Sequence, residues 1–232
     1  MKVYYLKVPT QTKTQQELLA ALRVKAPACY VAALKKVEVQ KQIKDQSRSL
    51  CAYLLLAYAY ARCFGETKAY KMPEIVKTAE GKPFFEGADS VHFNLSHSGD
   101  YVVCAITKEA CGVDVQEIRT VKEQFAQRFF SEKEQQHMEK AISCGKHPDA
   151  IGTEIWCKKE SLGKCRGYGL TEGTHALDTE SCAEHIGVSH VLEEEGYVLS
   201  YCSLEKKDVR IQEVEYSELE SWLFRDGIIC EI

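Results

Sequence analysis

The chain has 232 residues, of which 45% are hydrophobic and 28% charged, a composition typical of globular proteins with one large or two small domains. Its net charge of -4 excludes the chain-wide basic surface typical of nucleic-acid-binding proteins. The apolar run at the N-terminus is too short for a signal peptide. The most apolar stretch, residues 50–63, is shorter than the ~20 residues that cross a bilayer. We therefore expect a cytoplasmic protein without membrane or nucleic-acid partners.

Hydrophobic periodicity and turn residues divide the first half of the chain into short elements. The helix at 45–64 is predicted to be buried because its large apolar residues recur at helical spacing, and Gly65 is expected to end it. Residues 96–100, Ser-His-Ser-Gly-Asp, are predicted to form a polar turn. The predicted elements are a strand at 1–8, helices at 15–23 and 45–64, and strands at 91–95, 101–107 and 112–118.

The second half begins with helical patterns and returns to strands. Its predicted elements are helices at 121–130 and 132–142, a loop at 148–151, a helix at 152–164, strands at 185–192 and 196–204, and a helix at 217–224.

A short echo links the two halves. Residues 99–104 (Gly-Asp-Tyr-Val-Val-Cys) are similar to residues 196–202 (Gly-Tyr-Val-Leu-Ser-Tyr-Cys). Two similar halves packed side by side would leave such an echo. We therefore expect an α+β fold of two similar lobes related by a pseudo-two-fold axis, each a small, mainly antiparallel sheet with helices. The lobes are predicted at residues 1–110 and 111–232.

Eleven cysteines are many for a chain of this length. Their number is odd and no pair has C-x-x-C spacing, which argues against a disulfide framework and a zinc ribbon. We expect free thiols without a catalytic role.

The first candidate site lies in the strand at 112–118. Alternate residues of a strand share a face, so Asp114 and Gln116 point the same way while Val113 and Val115 face the core. A carboxylate and an amide oxygen on one face are suitable ligands for magnesium. The alternative is an ordinary aspartate facing solvent on a half-buried strand.

The second candidate is a stripe on the helix at 152–164. Residues four apart stack on one helix face, which places Trp156, Glu160 and Lys164 together. The tryptophan suggests partial burial, where a carboxylate and an ammonium can bind metal, act as a base or hold phosphate. A solvent-facing ion pair is the alternative.

The third candidate is the segment at residues 93–99. Its polar side chains and the amide groups of a glycine turn could hold a phosphate. The alternative is a hairpin loop with a surface histidine.

Together these motifs resemble the 4′-phosphopantetheinyl transferase superfamily, in its surfactin-synthetase-activating type. The family patterns are G-[IV]-D-[IV]-E and W-x-x-K-E-[AS]-x-x-K-x-x-G-x-G-L. The similarity extends over residues 47–170. The matching segments are residues 81–83 (Gly-Lys-Pro), 93–98 (Phe-Asn-Leu-Ser-His-Ser), 112–115 (Gly-Val-Asp-Val), 128–131 (Arg-Phe-Phe-Ser), 156–164 (Trp-Cys-Lys-Lys-Glu-Ser-Leu-Gly-Lys) and 167–170 (Gly-Tyr-Gly-Leu).

The resemblance implies a magnesium-dependent transfer of phosphopantetheine from coenzyme A to a serine of an acyl or peptidyl carrier protein, with release of adenosine 3′,5′-bisphosphate. Asp114 and Glu160 would hold Mg²⁺, with Gln116 as a further ligand. Glu160 or a water would take the serine proton, and Lys164 would stabilise charge at the pyrophosphate. Such enzymes serve fatty acid, polyketide or nonribosomal peptide biosynthesis.

The resemblance also implies contacts to coenzyme A in the first lobe, whereas the second lobe carries the metal and catalytic motifs. Basic residues near 35 and 36 could meet the 3′-phosphate. Phe125 and Phe129 lie where family members dock carrier proteins, although core packing is the alternative. The implied contacts to coenzyme A are Arg48, Ser49, Lys82, Ser96, His97 and Lys159.

One residue departs from the family pattern. Many relatives have a second acid where this chain has Gln116, which predicts weaker metal binding. A non-catalytic relative that binds coenzyme A or a carrier protein therefore stays open, as does an unrelated coenzyme A-dependent acyltransferase, which would not need magnesium. Because both lobes are on one chain, we expect a monomer.

Overall fold

A computed structural model describes residues 1–9, 13–65, 71–88, 90–168, 177–204, 206 and 208–225. The predicted motif residues Gly169 and Leu170, and Cys230, lie outside this part of the chain. The ten cysteines within it are free thiols, and seven are buried, as the sequence predicts. None of the helices formed by these residues is both long enough and apolar enough to cross a membrane.

The first sheet, called the N-terminal sheet, has the strand order β4-β5-β1-β9. Strand β5 pairs antiparallel with both β4 and β1, and β9 is parallel to β1. A separate hairpin of β2 and β3 precedes β4 in the chain. The strands are β1 (Lys2–Lys7), β2 (Ile75–Lys77), β3 (Pro83–Phe85), β4 (His92–Ser98), β5 (Tyr101–Thr107) and β9 (Arg210–Glu213).

Helices cover one face of the N-terminal sheet. They are α1 (Gln15–Lys25), α2 (Pro27–Val39) and α3 (Ile43–Phe64). Because its middle is apolar on every face, α3 is enclosed, and Leu54, Leu55 and Leu56 are fully buried. Gly65 ends α3 with a φ of 105°, a conformation that favours glycine.

The second sheet, called the C-terminal sheet, has the order β6-β8-β7 and is antiparallel throughout. The helix α6 packs on β6 and β8. The elements are β6 (Cys111–Glu117), α4 (Glu123–Phe129), α5 (Glu132–Ser143), α6 (Pro148–Arg166), β7 (His185–Ser189) and β8 (Tyr197–Ser203).

A glycine sets the distance between β6 and α6. A Cβ atom at Gly112 would lie 1.9 Å from the main-chain oxygen of Ser161 and 2.6 Å from the nitrogen of Cys165. Only glycine lets the strand approach the helix backbone this closely. The glycine of the Gly-Val-Asp motif therefore brings Asp114 near the end of α6.

The α+β class and the antiparallel sheets agree with the prediction, but two local predictions are wrong. The predicted loop at 148–151 is the first turn of α6, because Pro148 at the start of the helix has the backbone angle that a helix needs and lacks only an N–H that would be unpaired there. The predicted turn at 96–100 is mostly strand, because residues 96–98 pair with β5 and only Gly99 and Asp100 form the turn.

The predicted echo corresponds to the central strands of the two sheets. Strands β5 and β8 each follow a glycine with positive φ, 54° at Gly99 and 80° at Gly196. The aromatic rings of Tyr101 and Tyr197, near the start of the two strands, meet edge to face with centroids 4.9 Å apart. Strand β5 packs against α3 and β8 against α6, so each half is a sheet with one long helix.

The end of the chain returns to the N-terminal sheet. Strand β9 pairs with β1, and the final helix α7 (Tyr216–Phe224) packs against α1 and α3. The division of the chain at residue 110 stays a prediction. The described residues after 208 pack against elements of the first half.

Candidate active site

Asp114 is held by side chains from three elements. It lies in the middle of β6 with 1% of its surface exposed. Its Oδ1 atom accepts hydrogen bonds from Ser96 Oγ on β4 at 2.7 Å and from Lys164 Nζ on α6 at 2.5 Å. Its Oδ2 atom accepts one from Gln116 Nε2 at 2.8 Å, as expected for alternate residues of a strand.

Lys164 lies in the last turn of α6 and directs its ammonium at Asp114. The same ammonium donates to Ser96 Oγ at 3.0 Å and to the carbonyl of Val113 at 3.3 Å. Burial disfavours a charged lysine, but the nearby carboxylates of Asp114 and Glu160 outweigh it and raise the pKa of Lys164. The lysine therefore stays charged.

Glu160 lies one turn before Lys164 on the same helix face and is half-buried. Burial raises its pKa to about 7, and the negative charge of Asp114 adds to this effect while Lys164 opposes it. Two carboxylates from different elements thus share one environment with a single ammonium. The structure brings together Asp114, Glu160 and Lys164.

The donor atoms of this site suit a hard cation. Asp114 and Glu160 offer carboxylate oxygens, and Gln116 offers an amide oxygen. Within the described residues, no three His, Cys, Asp or Glu side chains form a metal-binding group. Magnesium does not require one, because it is commonly bound by one or two carboxylates, with water and substrate phosphates completing its shell. The residues present therefore fit Mg²⁺.

A basic face adjoins the carboxylates. The pKa of His97 is lowered, first because the imidazole is partly desolvated and then because the positive charges of Arg48, Lys164 and Lys36 lie nearby. Arg48 is oriented by an ion pair with Asp45 at 3.1 Å. Four basic side chains from α2, α3, β4 and α6 therefore surround one region next to the candidate metal ligands, as phosphate binding requires.

Ser49 follows Arg48 on α3 and is buried, with 5% of its surface exposed. Ser96 is also buried and contacts both Asp114 and Lys164, which places it inside the carboxylate site.

Lys159, in contrast, lies away from this region. Its side chain is fully buried and its ammonium forms an ion pair with Glu134 Oε2 at 2.6 Å and a hydrogen bond to the carbonyl of Leu177. The structure does not support the expected contact with coenzyme A, because the ammonium would have to leave a buried carboxylate. Position 159 is on a different helix face from 160 and 164.

Two other expectations about phosphate contacts also change. The ammonium of Lys82 donates to three main-chain carbonyls, those of Lys164, Cys165 and Cys111. The amide of Asp100 in the glycine turn donates to the hydroxyl of Tyr197 at 3.1 Å. The amide of Asp100 is therefore not available for a phosphate in this arrangement, and a phosphate nest at this turn stays a prediction.

Phe125 and Phe129 form an aromatic cluster with Trp156. The ring centroids of Phe125 and Trp156 are 4.9 Å apart, and those of Phe129 and Trp156 are 5.6 Å apart. Both phenylalanines remain partly exposed. A pocket between this cluster and β6 is lined by Gln116, Thr120, Lys122, Phe125 and Trp156, among others.

The motif at residues 93–98 includes Asn94 and Ser98, but the sequence did not predict that they bind the backbone of β6. Asn94 Oδ1 accepts a hydrogen bond from the amide of Val113 at 2.9 Å, and Ser98 Oγ accepts one from the amide of Glu117 at 3.1 Å. The signal was the spacing, because polar residues at 94, 96 and 98 alternate along one face of a strand.

Two family models match adjoining parts of the chain. The model described as "4′-phosphopantetheinyl transferase, N-terminal" matches residues 29–109, and that described as "4′-phosphopantetheinyl transferase superfamily" matches residues 110–215. Their boundary falls at the start of β6.

Several curated proteins are similar to this chain. A 4′-phosphopantetheinyl transferase of Bacillus subtilis is 29% identical over 181 residues, which cover 74% of this chain and 72% of that protein. The transferase psf-1 of Bacillus pumilus is 34% identical over 56% of this chain and 54% of its own length. The transferase gsp of Aneurinibacillus migulanus is 30% identical over 55% and 52%. The last two alignments thus span about half of those relatives.

Among solved structures, the holo-[acyl-carrier-protein] synthase of Thermotoga maritima matches 42% of this chain and 64% of its own, with 22% identity and a TM-score of 0.32.

Proposed function

The chain belongs to the 4′-phosphopantetheinyl transferase superfamily, and we propose that it transfers the phosphopantetheine arm of coenzyme A to a serine of an acyl or peptidyl carrier protein. The observation that supports this most directly is the meeting of Asp114, Glu160 and Lys164 beside a basic face. Such a site can hold a diphosphate, because it offers ligands for a divalent cation next to cationic side chains.

Magnesium is the proposed metal, with Asp114 and Glu160 as its carboxylate ligands and Gln116 as a neutral one. When bound, it would supply positive charge that neutralises the pyrophosphate and favours departure of the nucleotide. The side chains themselves orient the substrate. Lys164 and the basic face of Lys36, Arg48 and His97 would hold the phosphates of coenzyme A.

In the proposed reaction, the serine oxygen of the carrier attacks the phosphorus that bears the pantetheine arm. The bond from this phosphorus to the nucleotide portion breaks, and adenosine 3′,5′-bisphosphate leaves. Glu160 or a water accepts the serine proton. Lys164, which stays charged, is placed to stabilise the developing negative charge.

The carrier protein is proposed to approach from the side of the aromatic cluster. Phe125 and Phe129 are partly exposed there, and Phe125 lines the same pocket as Gln116 and Trp156. Because both halves of the site lie on one chain, we propose that a monomer is active, and that it acts in the cytoplasm, where coenzyme A and carrier proteins occur together.

The test is to incubate the protein with coenzyme A, magnesium and apo carrier proteins of fatty acid, polyketide and peptide synthesis, and to weigh each carrier by mass spectrometry. We expect at least one to gain the phosphopantetheine mass. Asp114→Asn should lower the rate by at least ~100-fold, about 2.7 kcal/mol of transition-state stabilisation. The exposed Glu139→Gln on α5, which makes the same change, should keep the wild-type rate.

Failure of transfer to every carrier would contradict the proposal. If coenzyme A nevertheless bound, the non-catalytic alternative would be correct. A transfer that continues at full rate without magnesium would contradict the metal assignment.

A further inference from the structure

The edge of β6 next to β4 is paired by side chains. Three alternate amides of β6, those of Val113, Val115 and Glu117, donate to Asn94 Oδ1, Ser96 Oγ and Ser98 Oγ at 2.9, 3.3 and 3.1 Å. We call these six residues the polar seam. The acceptor side chains of β4 and the donor amides of β6 both recur at every second residue. The side chains on one face of β4 therefore provide hydrogen-bond partners for the amides along one edge of β6. The seam joins the N-terminal sheet to the C-terminal sheet.

Lys82 makes a second link between the halves. Its ammonium donates to the carbonyl of Lys164 at 2.5 Å and to the carbonyls of Cys165 and Cys111 at 3.3 Å each. The carbonyls of Lys164 and Cys165 are at the C-terminal end of α6, where main-chain acceptors lack helical partners and the helix dipole favours a cation. Cys111 is the first residue of β6.

Lys82 lies beside the glycine that ends α6. Gly167 caps the helix with a φ of 93°, and a Cβ atom there would lie 3.9 Å from Lys82 Cδ, an ordinary van der Waals distance. A lysine ammonium has three N–H groups, and three carbonyls occupy them. No donor of Lys82 is left for a phosphate in this arrangement.

The two links bind main-chain groups at or next to the candidate catalytic residues, and so fix the backbone that carries Asp114 and Lys164. Asp114 lies between Val113 and Val115, whose amides are both bound in the polar seam. Lys164 carries its catalytic ammonium on the same residue whose carbonyl Lys82 binds. A shift of either backbone would change the 2.5 Å contact between Asp114 and Lys164.

We propose that Lys82 is a positioning residue, which together with the polar seam fixes β6 against α6 and acts on catalysis through Asp114 and Lys164 and not by contact with coenzyme A. This inference rests on the proposed transferase function. It differs from the contact that the Gly-Lys-Pro motif suggests, in which Lys82 binds the substrate. The two roles predict opposite effects on kcat and on coenzyme A affinity.

The experiment compares Lys82→Met with wild type and with Lys77→Met. Lys77 is an exposed lysine on β2 whose Cα pairs with that of Pro83, so it reports the general effect of losing a charge near this hairpin. For each protein, kcat and KM for coenzyme A are measured with one carrier, and coenzyme A binding is measured directly by calorimetry. Thermal unfolding shows whether each variant is folded.

For Lys82→Met, we expect kcat to fall by ~10- to 100-fold, as displaced catalytic groups do, with KM and the calorimetric Kd for coenzyme A within about twofold of wild type. Lys77→Met should match wild type in all three. A tenfold or larger rise in Kd at unchanged kcat would overturn the proposal and make Lys82 a substrate contact, and unchanged kinetics would overturn it as well.

Ser98→Ala keeps the proposal testable should Lys82→Met not fold. It removes the acceptor of the Glu117 amide at the end of the seam, so that amide should exchange hydrogen faster, and kcat should fall while the Kd for coenzyme A stays constant. Faster exchange without a change in kcat would contradict the positioning role of the seam. An inactive wild-type protein would instead count against the transferase function itself.

Discussion

At the scale of single residues, the charge balance of the site depends on Gln116. Its amide nitrogen donates to Asp114 Oδ2 at 2.8 Å, while Lys164 and Ser96 contact Oδ1. These three donors can stabilise the negative charge of Asp114 without a bound metal. A second acid at position 116 would repel Asp114 unless a cation lay between them.

Gln116→Glu is therefore expected to couple the site more strongly to magnesium. The variant should unfold at a lower temperature than wild type in a chelator, because two carboxylates would face each other, and magnesium should raise its unfolding temperature more. The Mg²⁺ concentration for half-maximal transfer should fall roughly fivefold, corresponding to ~1 kcal/mol of added binding free energy. Thermal unfolding with and without Mg²⁺, and a magnesium titration of activity, measure both effects.

The matched control is Gln124→Glu, which adds the same charge at an exposed position on α4. It should leave the response to magnesium unchanged. If Gln116→Glu behaved like this control, residue 116 would lie outside the metal shell.

At the scale of secondary structure elements, a buried polar network connects α5, α6 and the segment that follows α6. Glu134 Oε2 accepts from Lys159 Nζ at 2.6 Å and from the Ser131 amide at 2.8 Å. Its Oε1 accepts from the amide and the hydroxyl of Thr179 at 2.9 and 2.7 Å. The side chains of Lys159 and Glu134 are both 0% exposed, so neither charge contacts bulk solvent.

Lys159→Met should therefore destabilise the protein without weakening coenzyme A binding. Removing one partner of a buried ion pair leaves the other charge uncompensated, at a cost of about 3–5 kcal/mol in the free energy of unfolding. Urea denaturation followed by circular dichroism measures this, and calorimetry measures coenzyme A affinity.

Lys140→Met, at an exposed position on α5, should change the free energy of unfolding by less than about 0.5 kcal/mol. If Lys159→Met had normal stability but bound coenzyme A more weakly, the result would instead support the contact between Lys159 and coenzyme A that the motif implies.

Local patterns predicted most elements, whereas partners distant in sequence were out of reach. The helix predicted at 45–64 runs from Ile43 to Phe64, and the alternation at Asp114 and Gln116 placed both on one face. Helical periodicity placed Lys159 on a different helix face from Glu160, but it could not predict that Lys159 forms an ion pair with Glu134. Lys82 matched a substrate-binding motif, yet its carbonyl partners depend on the packing of β6 on α6.

At the scale of the whole molecule, hydrogen bonds join the two halves in addition to the buried apolar cluster that their sheets share. The polar seam and Lys82 link the sheets near the site. Strand β9 adds a third link, since Val214 donates its amide to the carbonyl of Tyr5 at 2.9 Å, and the N-terminal amine donates to the carbonyl of Asp208 at 3.1 Å. Strand β9 is largely exposed, so its sequence lacks the alternation of apolar and polar residues that would have predicted a strand there.

These links make a single cooperative unfolding transition the expected behaviour, although chains of this length often unfold in steps. The two tryptophans report on different halves. Trp222 packs against Tyr58 in the core of the N-terminal sheet, with ring centroids 5.6 Å apart, whereas Trp156 belongs to the aromatic cluster of the C-terminal half. Each can be observed alone in Trp156→Phe and Trp222→Phe.

In each single-tryptophan variant, the urea midpoint of fluorescence should coincide with that of circular dichroism, because strands of the two sheets share one buried apolar cluster, and β6 would lose the acceptors of its edge once β4 unfolds. Comparison within one variant removes the effect of the substitution on overall stability. A Trp156 transition at lower urea than the circular dichroism midpoint, with Trp222 unaffected, would show that the halves unfold independently and that the links between them are weak.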